Sequence, residues 1–391
     1  MTLKCQSDMM DAFSVSLYPD KADILKGWMY MERKWRVAIV GATGMVGQRF
    51  ISLLADHPWF DIAVLAASSR SAGRTYEEAV AGRWAFSWPI PAHVRNMTVL
   101  DASKMEEVTS QADFVFCAVD MKKDEIRALE DAYAKTETPV VSNNSAHRGT
   151  PDVPMIIPEL NPEHADVIEY QKKRLGTKTG FVTVKPNCSI QSYVPALTAL
   201  RDLCPSRVVV STYQAISGAG KTFDRWPEMI DNVIPYIGGE EEKSELEPLK
   251  IWGRVEGGII VPAKAPIISA HCIRVAVADG HMATCWASFD KAASKEEIIE
   301  RWRSFEGLPQ RLNLPSAPHP FIQYCDEDNR PQTKLDRDFE HGMGVSMGRL
   351  RSDSLFDWRF VGLSHNTLRG AAGGAVLIAE LLCAQGYIPK K

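Results

Sequence analysis

Arg36-Val37-Ala38-Ile39-Val40-Gly41-Ala42-Thr43-Gly44-Met45-Val46-Gly47 is the stretch that decides the fold. The short apolar run reads as a buried strand and the glycines as a tight turn. Val46, Phe50, Leu53 and Leu54 then fall at helical spacing. Glycines in a strand–turn–helix unit let backbone N–H groups approach a pyrophosphate, which the helix N-terminus also attracts. That context raises an otherwise weak glycine triplet. Gly41, Thr43, Gly44, Met45, Val46 and Gly47 are therefore candidates for binding a dinucleotide.

Downstream, Asp61–Ala67 and Asp113–Val119 read as further strands, Lys123–Lys135 as a helix, and Pro139–Ser142 as another strand. Continuous apolar strands alternating with helices predict a parallel sheet covered on both faces. The expected unit is a Rossmann-like domain over residues 35–185. Its second strand ends in Ser68-Ser69-Arg70-Ser71. An acid there would hold a ribose 2′-hydroxyl, whereas hydroxyls and a guanidinium suit a 2′-phosphate. Ser68, Arg70 and Ser71 thus point to NADP as the cofactor. Upstream, residues 1–34 show no clear period and read as an extension.

After Arg207 the texture changes, with Val208–Tyr213, Ile259–Val261, Ile267–Val277 and Met282–Phe289 reading as strands without a helix between each pair. This predicts an α/β chain whose second, α+β domain (186–359) carries a mainly antiparallel sheet. A last strand near Phe360 and a small-residue helix, Gly370–Leu382, should return residues 360–391 to the NADP-binding domain.

The 391 residues carry 45 Lys plus Arg against 49 Asp plus Glu, a net charge of −4, which argues against nucleic acid or an anionic membrane as partner. No apolar run approaches the ~18–20 residues of a membrane span. The eight cysteines form no C-x-x-C pair, which predicts reduced thiols, a cytoplasmic protein and no metal site. The only Tyr-x-x-x-Lys pair, Tyr30 and Lys34, precedes the glycine loop, so a tyrosine base of the short-chain type is disfavoured.

Another group must then do the chemistry, and Cys188 is placed for it. It follows the strand Phe181–Val184 and precedes an apolar helical stretch near Ile190. A thiolate at a helix N-terminus is stabilised by unpaired N–H groups, which could also hold an oxyanion. Taken alone, a free cysteine is more often buried and inert. Cys117, inside an apolar strand, reads as core.

Several motifs together resemble the archaeal and fungal branch of the aspartate-semialdehyde dehydrogenases. They are Asn187-Cys188-Ser189, Tyr213–Gly220, Asp231–Lys243, Cys272–Arg274, Asp279–His281 and Ser364–Ala372. The resemblance covers about Trp35 to Leu382. It implies Cys188 as nucleophile, His281 as acid/base and Gln214 as the substrate-orienting amide. It also implies Arg274 as partner of the substrate carboxylate, and Glu240 and Lys243 as partners of its amine and phosphate. Asn144 and Arg148 match a second anion-binding segment, and Ser217, Gly218 and Asn366 match contacts near the nicotinamide. Taken singly, these would read as surface charge or satisfied polar groups, and Glu240–Lys243 as a solvated acidic run. Lys221-Thr222-Phe223 and Ile190-Gln191 depart from the usual pattern.

The implied reaction is NADPH-dependent reduction of L-aspartyl 4-phosphate to the semialdehyde and phosphate by a homodimer or homotetramer. The rivals are an acyl-coenzyme A reductase, such as a malonyl-coenzyme A reductase, on the same scaffold, and a non-catalytic NADP-binding sensor. N-acetylglutamyl-phosphate reductase shares the chemistry but fits these motifs less well.

Overall fold

The computed structural model describes residues 33–391, so the expected extension lies almost wholly outside the described residues. The first sheet contains β1 (Trp35–Val40), β2 (Phe60–Ala67), β3 (Val99–Asp101), β4 (Phe114–Cys117), β5 (Val140–Ser142) and β6 (Val182–Val184). All its pairings are parallel, in the order β3-β2-β1-β4-β5-β6. The reversal beside β1 puts the glycine loop at the switch point, where open α/β sheets bind ligands. Sequence reading overlooked β3, whose three residues are too few to show a period.

The helix Met45–Leu54 follows the glycines and buries Phe50, Ile51 and Leu54. Phe50 stacks on Phe116 at 4.5 Å, and Phe60 meets Phe114 edge-on at 5.2 Å. Each such ring, fully buried, contributes roughly 1.5–3 kcal/mol. The helix Lys123–Lys135 has the predicted bounds, with Asp124 and Glu125 in its first turn and Lys135 in its last. That charge order complements the helix dipole.

The second sheet joins β7 (Pro205–Gln214), β8 (Val233–Ile234), β11 (Ile267–Val275), β12 (His281–Phe289), β13 (Ile322–Cys325), β14 (Val345–Ser352) and β15 (Trp358–Ser364). A separate ribbon pairs β9 (Arg254–Glu256) with β10 (Ile259–Val261). The order is β13-β14-β15-β12-β7-β11-β8, with four antiparallel and two parallel pairings. The sheet is therefore mixed but mainly antiparallel. The parallel partnership of β7 and β11 requires a crossover, which the helix Glu240–Ile251 supplies.

Residue 360, where sequence reading began the closing segment, lies inside β15 of the second sheet. The helix Gly373–Ala384 is buried from Gly373 to Cys383, and its Leu377, Ile378 and Leu381 share one core with Val37, Ile39 and Phe116 of the first sheet. Its one acid, Glu380, is fully buried and accepts bonds from the Ser316 N–H (3.0 Å) and hydroxyl (2.5 Å), with His57 Nε2 at 2.8 Å. A buried carboxylate is tolerated when its oxygens are satisfied in this way. Cysteines 117, 188, 272, 285, 325 and 383 are free thiols. Cys204 is disulfide-bonded, contrary to the expectation of reduced thiols throughout. Among the described residues, no helix is long and apolar enough to cross a membrane, and no side-chain cluster could hold a metal ion.

Candidate active site

The glycines let the loop and the helix that follows it pack closely on the first sheet. Gly41 has φ of +91°, and a Cβ there would lie 2.3 Å from the Ala118 carbonyl oxygen. A Cβ on Gly47 would lie 2.2 Å from the Gly41 carbonyl oxygen, so the helix can pack this close only without one. Gly44 is exposed and caps the helix with Thr43, Met45 and Val46 half-buried around it. The Gly44 N–H is taken by the Gly41 carbonyl at 3.1 Å, so the N–H groups of the helix's first turn, Met45 to Gly47, are the ones that fit a pyrophosphate. Ser68 and Arg70 are exposed at the end of β2. Ser71 is buried and its N–H closes the turn on the Ser68 carbonyl at 2.8 Å. The two exposed side chains thus remain available to a 2′-phosphate.

Cys188 follows β6 but does not open a long helix. The next residues form a single 3₁₀ turn, Ser189–Ser192, and the α-helix Val194–Thr198 is short. The dipole expected to acidify the thiol is correspondingly weak. Burial, and then the Glu240 carboxylate, push the Cys188 thiol up, while Lys185, Arg148 and Arg274 pull it down. In the free chain burial wins, which corrects the expectation of a depressed thiol. Gly370 backs the nucleophile, because a Cβ there would stand 2.8 Å from Cys188 Cβ.

Asn187 connects this turn to the helix Glu240–Ile251. Its N–H donates to Glu247 (2.6 Å), and its amide donates to both Glu240 oxygens at 3.1 and 2.9 Å. Its side-chain oxygen accepts from the N–H (2.7 Å) and hydroxyl (2.6 Å) of Ser189. Glu240 also accepts from Lys243 Nζ at 2.7 Å and from the Gln214 amide at 3.3 Å. Burial alone would raise its carboxyl. The Lys243 charge and the bonds from Lys243, Asn187 and Gln214 outweigh that and hold it below its usual range. Glu240, only 8% exposed, is therefore drawn out of the solvated run, while Glu242 stays exposed.

Strand register brings the remaining groups in. Gln214 and Arg274 are register partners on parallel β7 and β11, both near the C-terminal ends of their strands. After the turn, His281 opens β12. Arg274 donates to the Ala215 carbonyl at 2.7 Å. A Cβ on Gly218 would lie 2.9 Å from Arg274 Nη1 and 3.0 Å from His281 Nε2, so both side chains crowd that glycine. His281 Nδ1 accepts the Ala215 N–H at 3.1 Å, which leaves the neutral ring's proton on Nε2. Nε2 is buried without a partner. Burial, then Arg274, push the imidazole down to about 3. Asn366 donates to Ser217 Oγ at 2.9 Å and accepts the Gly280 N–H at 2.8 Å, tying these turns together.

Arg148 also belongs to the cluster, bonded to Glu247 at 3.0 Å and to the Lys185 carbonyl at 2.9 Å. Asn144 differs from expectation. Its amide donates to buried Glu130 at 2.9 Å and to Cys117 Sγ at 3.5 Å, so it supports the loop rather than offering its side chain to an anion. The structure adds Asn187, Glu247, Lys185 and Gly370, which sequence reading gave no role. Asn187 and Gly370 lie inside the quoted motifs, but no local pattern marks Asn187 as the link to a helix 53 residues away. The arrangement combines a half-buried thiol, an N–H donor at Nε2 and cationic groups around one carboxylate. This suits acyl transfer to sulfur with an oxyanion held beside it.

Residues 36–168 match the family model described as semialdehyde dehydrogenase, NAD binding domain, and residues 197–369 match the semialdehyde dehydrogenase, dimerisation domain. The aspartate-semialdehyde dehydrogenase of Methanothermobacter thermautotrophicus is 44% identical over 351 residues, covering 88% of this chain and 98% of that protein. That of Aspergillus fumigatus is 40% identical over 364 residues, covering 91% and 99% respectively. Among solved structures, the Candida albicans aspartate semialdehyde dehydrogenase crystallised with NADP superposes with a TM-score of 0.82. It is 38% identical and covers 91% of this chain and 100% of that one.

Proposed function

The chain belongs to the aspartate-semialdehyde dehydrogenase family, and from that premise we propose the reaction and the residues that perform it. The chain is an NADP-dependent oxidoreductase that reduces L-aspartyl 4-phosphate to L-aspartate 4-semialdehyde and phosphate, a step toward lysine, methionine and threonine. The observation that carries the assignment of roles is the cradle around Cys188. In it Arg274 and Gln214 stand side by side, Glu240 is fixed by Lys243 and Asn187, and His281 Nε2 is unpartnered.

Arg274 holds the substrate carboxylate, Glu240 its amine, and Lys243 with Arg148 its phosphate. Gln214 orients the acyl group. Cys188 sulfur attacks the acyl carbon and phosphate leaves, giving a thioester. His281 keeps its proton on Nε2 and donates a hydrogen bond to the oxygen that becomes negative at each tetrahedral stage. When bound, NADPH supplies hydride; the Gly41–Gly47 loop, Ser68, Arg70, Ser217, Gly218 and Asn366 would hold it. The turn containing Ser71 shapes the 2′-phosphate end. Asn144, through Glu130, keeps the anion-binding loop in place.

The coenzyme A rival is not favoured, because the curated relatives are named for aspartate semialdehyde. The test is NADP reduction with aspartate semialdehyde, with and without phosphate. Dependence on phosphate is the expected result, and equal rates supported by coenzyme A would sink the assignment. Within that assay, Arg274→Lys should lower both affinity and turnover, since an ammonium cannot reproduce the two-pronged carboxylate contact and a misplaced carbonyl loses alignment with sulfur. Glu240→Gln should weaken aspartate semialdehyde more than succinate semialdehyde, which lacks the amine. Equal loss on both aldehydes would remove the amine assignment.

Cofactor choice gives a separate expectation. Arg70→Ala should raise the Michaelis constant for NADPH and spare that for NADH, at a cost of ~1.5–3 kcal/mol for a charged hydrogen bond. Equal effects on both cofactors would show that the 2′-phosphate is read elsewhere.

We place the protein in the cytoplasm as a homodimer or homotetramer. The match to a dimerisation domain and the exposed Val233, Tyr236 and Ile267 of the second domain support an oligomer. The same reading divides the chain into an NADP-binding unit over 35–185, a catalytic and dimerisation unit over 186–359, and a returning segment beyond.

A further inference from the structure

In the helix Glu240–Ile251, the charged residues Glu240, Lys243, Glu247 and Lys250 recur at steps of three and four. That spacing puts them on one face of the helix. The steps above use the first two, at the start of the helix. Glu247 and Lys250 continue the same face toward its end, and Lys250 lies about 10 Å beyond Lys243 at 1.5 Å per residue.

Glu247 and Lys250 are each 8% exposed. Buried charges persist only when their polar atoms are satisfied. Glu247 accepts from Arg148 at 3.0 Å and from the Asn187 N–H at 2.6 Å. Lys250 Nζ donates to three backbone carbonyls, those of Arg148 and Thr150 at 2.8 Å and that of Val153 at 2.9 Å. An ammonium has three protons, and all three are taken. The acceptors lie in one segment, 148–153, between β5 and β6 of the first sheet, whereas the helix crosses between β7 and β11 of the second. Arg148 is thus gripped twice from one helix, its guanidinium by Glu247 and its carbonyl by Lys250.

The helix is braced for this. Pro248 has no N–H to offer the Ser244 carbonyl, and the Tyr193 hydroxyl donates to that carbonyl at 2.8 Å instead. The far end of the segment has its own ties. The Pro151 carbonyl accepts the Ile260 N–H at 2.9 Å, and the Asp152 carbonyl accepts from Gln171 at 3.0 Å. Removing the Lys250 ammonium should therefore release the Arg148 end rather than the whole loop.

We infer that Lys250 is a positioning residue for the phosphate subsite. By fixing the Arg148 backbone to the helix that bears Lys243, it sets the spacing of the two cations that receive phosphate. The inference rests on the reading of Arg148 and Lys243 as the phosphate partners. With its three donors occupied by carbonyls, Lys250 has none for the substrate, so its effect should reach phosphate only through Arg148.

The test is oxidation of aspartate semialdehyde by NADP in the full chain, with inorganic phosphate varied. Lys250→Met should raise the Michaelis constant for phosphate about 10-fold and leave those for aspartate semialdehyde and NADP within about twofold. Turnover at saturating phosphate should fall by less than about threefold. Lys250→Arg, which keeps charge and donors, should recover more of the phosphate affinity than Lys250→Gln. Arg148→Ala should raise the phosphate constant by itself. Adding Lys250→Met to it should change little more, because residues that act through one another are not additive. A general loosening of the fold would raise all three constants together or lower turnover alone, and either result overturns the inference. So would an unchanged phosphate constant in Lys250→Met beside a raised one in Arg148→Ala. An unmoved phosphate constant in Arg148→Ala would remove the reading on which the inference rests. Should Lys250→Met fail to fold, Lys250→Gln and Lys250→Arg carry the same comparison.

Discussion

Cys188→Ser should lower turnover of aspartate semialdehyde by at least ~10³-fold, with little change in substrate affinity. A serine hydroxyl is far weaker than a thiolate at neutral pH. The loss should fall on turnover because Arg274, Glu240 and Lys243, the substrate-binding groups, are fixed by one another and by backbone rather than by the thiol. The fold should be intact. Gly370 packs against the Cβ of residue 188, not its terminal atom, and an oxygen is smaller than a sulfur. Steady-state rates with NADP and phosphate, alongside a melt to show a folded chain, are the measurement. A variant within tenfold of the parent would remove the covalent route.

Glu159→Ala should destabilise the chain by about 3–5 kcal/mol, the cost of leaving a buried charge without its partner. Arg369 is 1% exposed and meets both Glu159 oxygens at 2.5 Å. It also donates to Gln191 at 3.2 Å and sits 4.5 Å over the Phe321 ring. One guanidinium thus joins the loop before β6, the turn after the nucleophile and the second domain. Replacing both partners by apolar residues of similar volume should recover much of the loss, because the expense lies in the orphaned charge. Urea unfolding of Glu159→Ala and of Glu159→Leu with Arg369→Met measures both. A single variant within 1 kcal/mol of the parent would show that water reaches the guanidinium.

What could be read from the sequence follows from which signals are local. The run Arg36–Gly47 has its strand, turn and helix within a dozen residues, and the helix Lys123–Lys135 carries its charge order in its own terminal turns. Both were legible. The crossover between β7 and β11 was not, because its helix opens with Glu240, Glu241 and Glu242, and the first of these looks solvated until Asn187 and Gln214 are brought against it. Asn144 shows the same limit. Its neighbours suggest an anion site, but Glu130, fourteen residues earlier on a helix, claims its amide. Lys185 was overlooked because a lysine before proline carries no mark of burial. The acidity of Cys188 was misjudged because burial depends on the whole assembly, whereas the expected helix start was a local feature.

The helix Gly373–Ala384 covers the first sheet yet lies about 230 residues beyond β5 in the chain. During translation at about 5–20 residues per second, that apolar face waits roughly 10–50 s for its cover. Throughout that interval Val37, Ile39, Phe114 and Phe116 belong to a nascent unit whose side is covered in part, by the helix Met45–Leu54. The early part of the polypeptide thus keeps apolar surface exposed until its last helix is made, the condition under which folding chains aggregate.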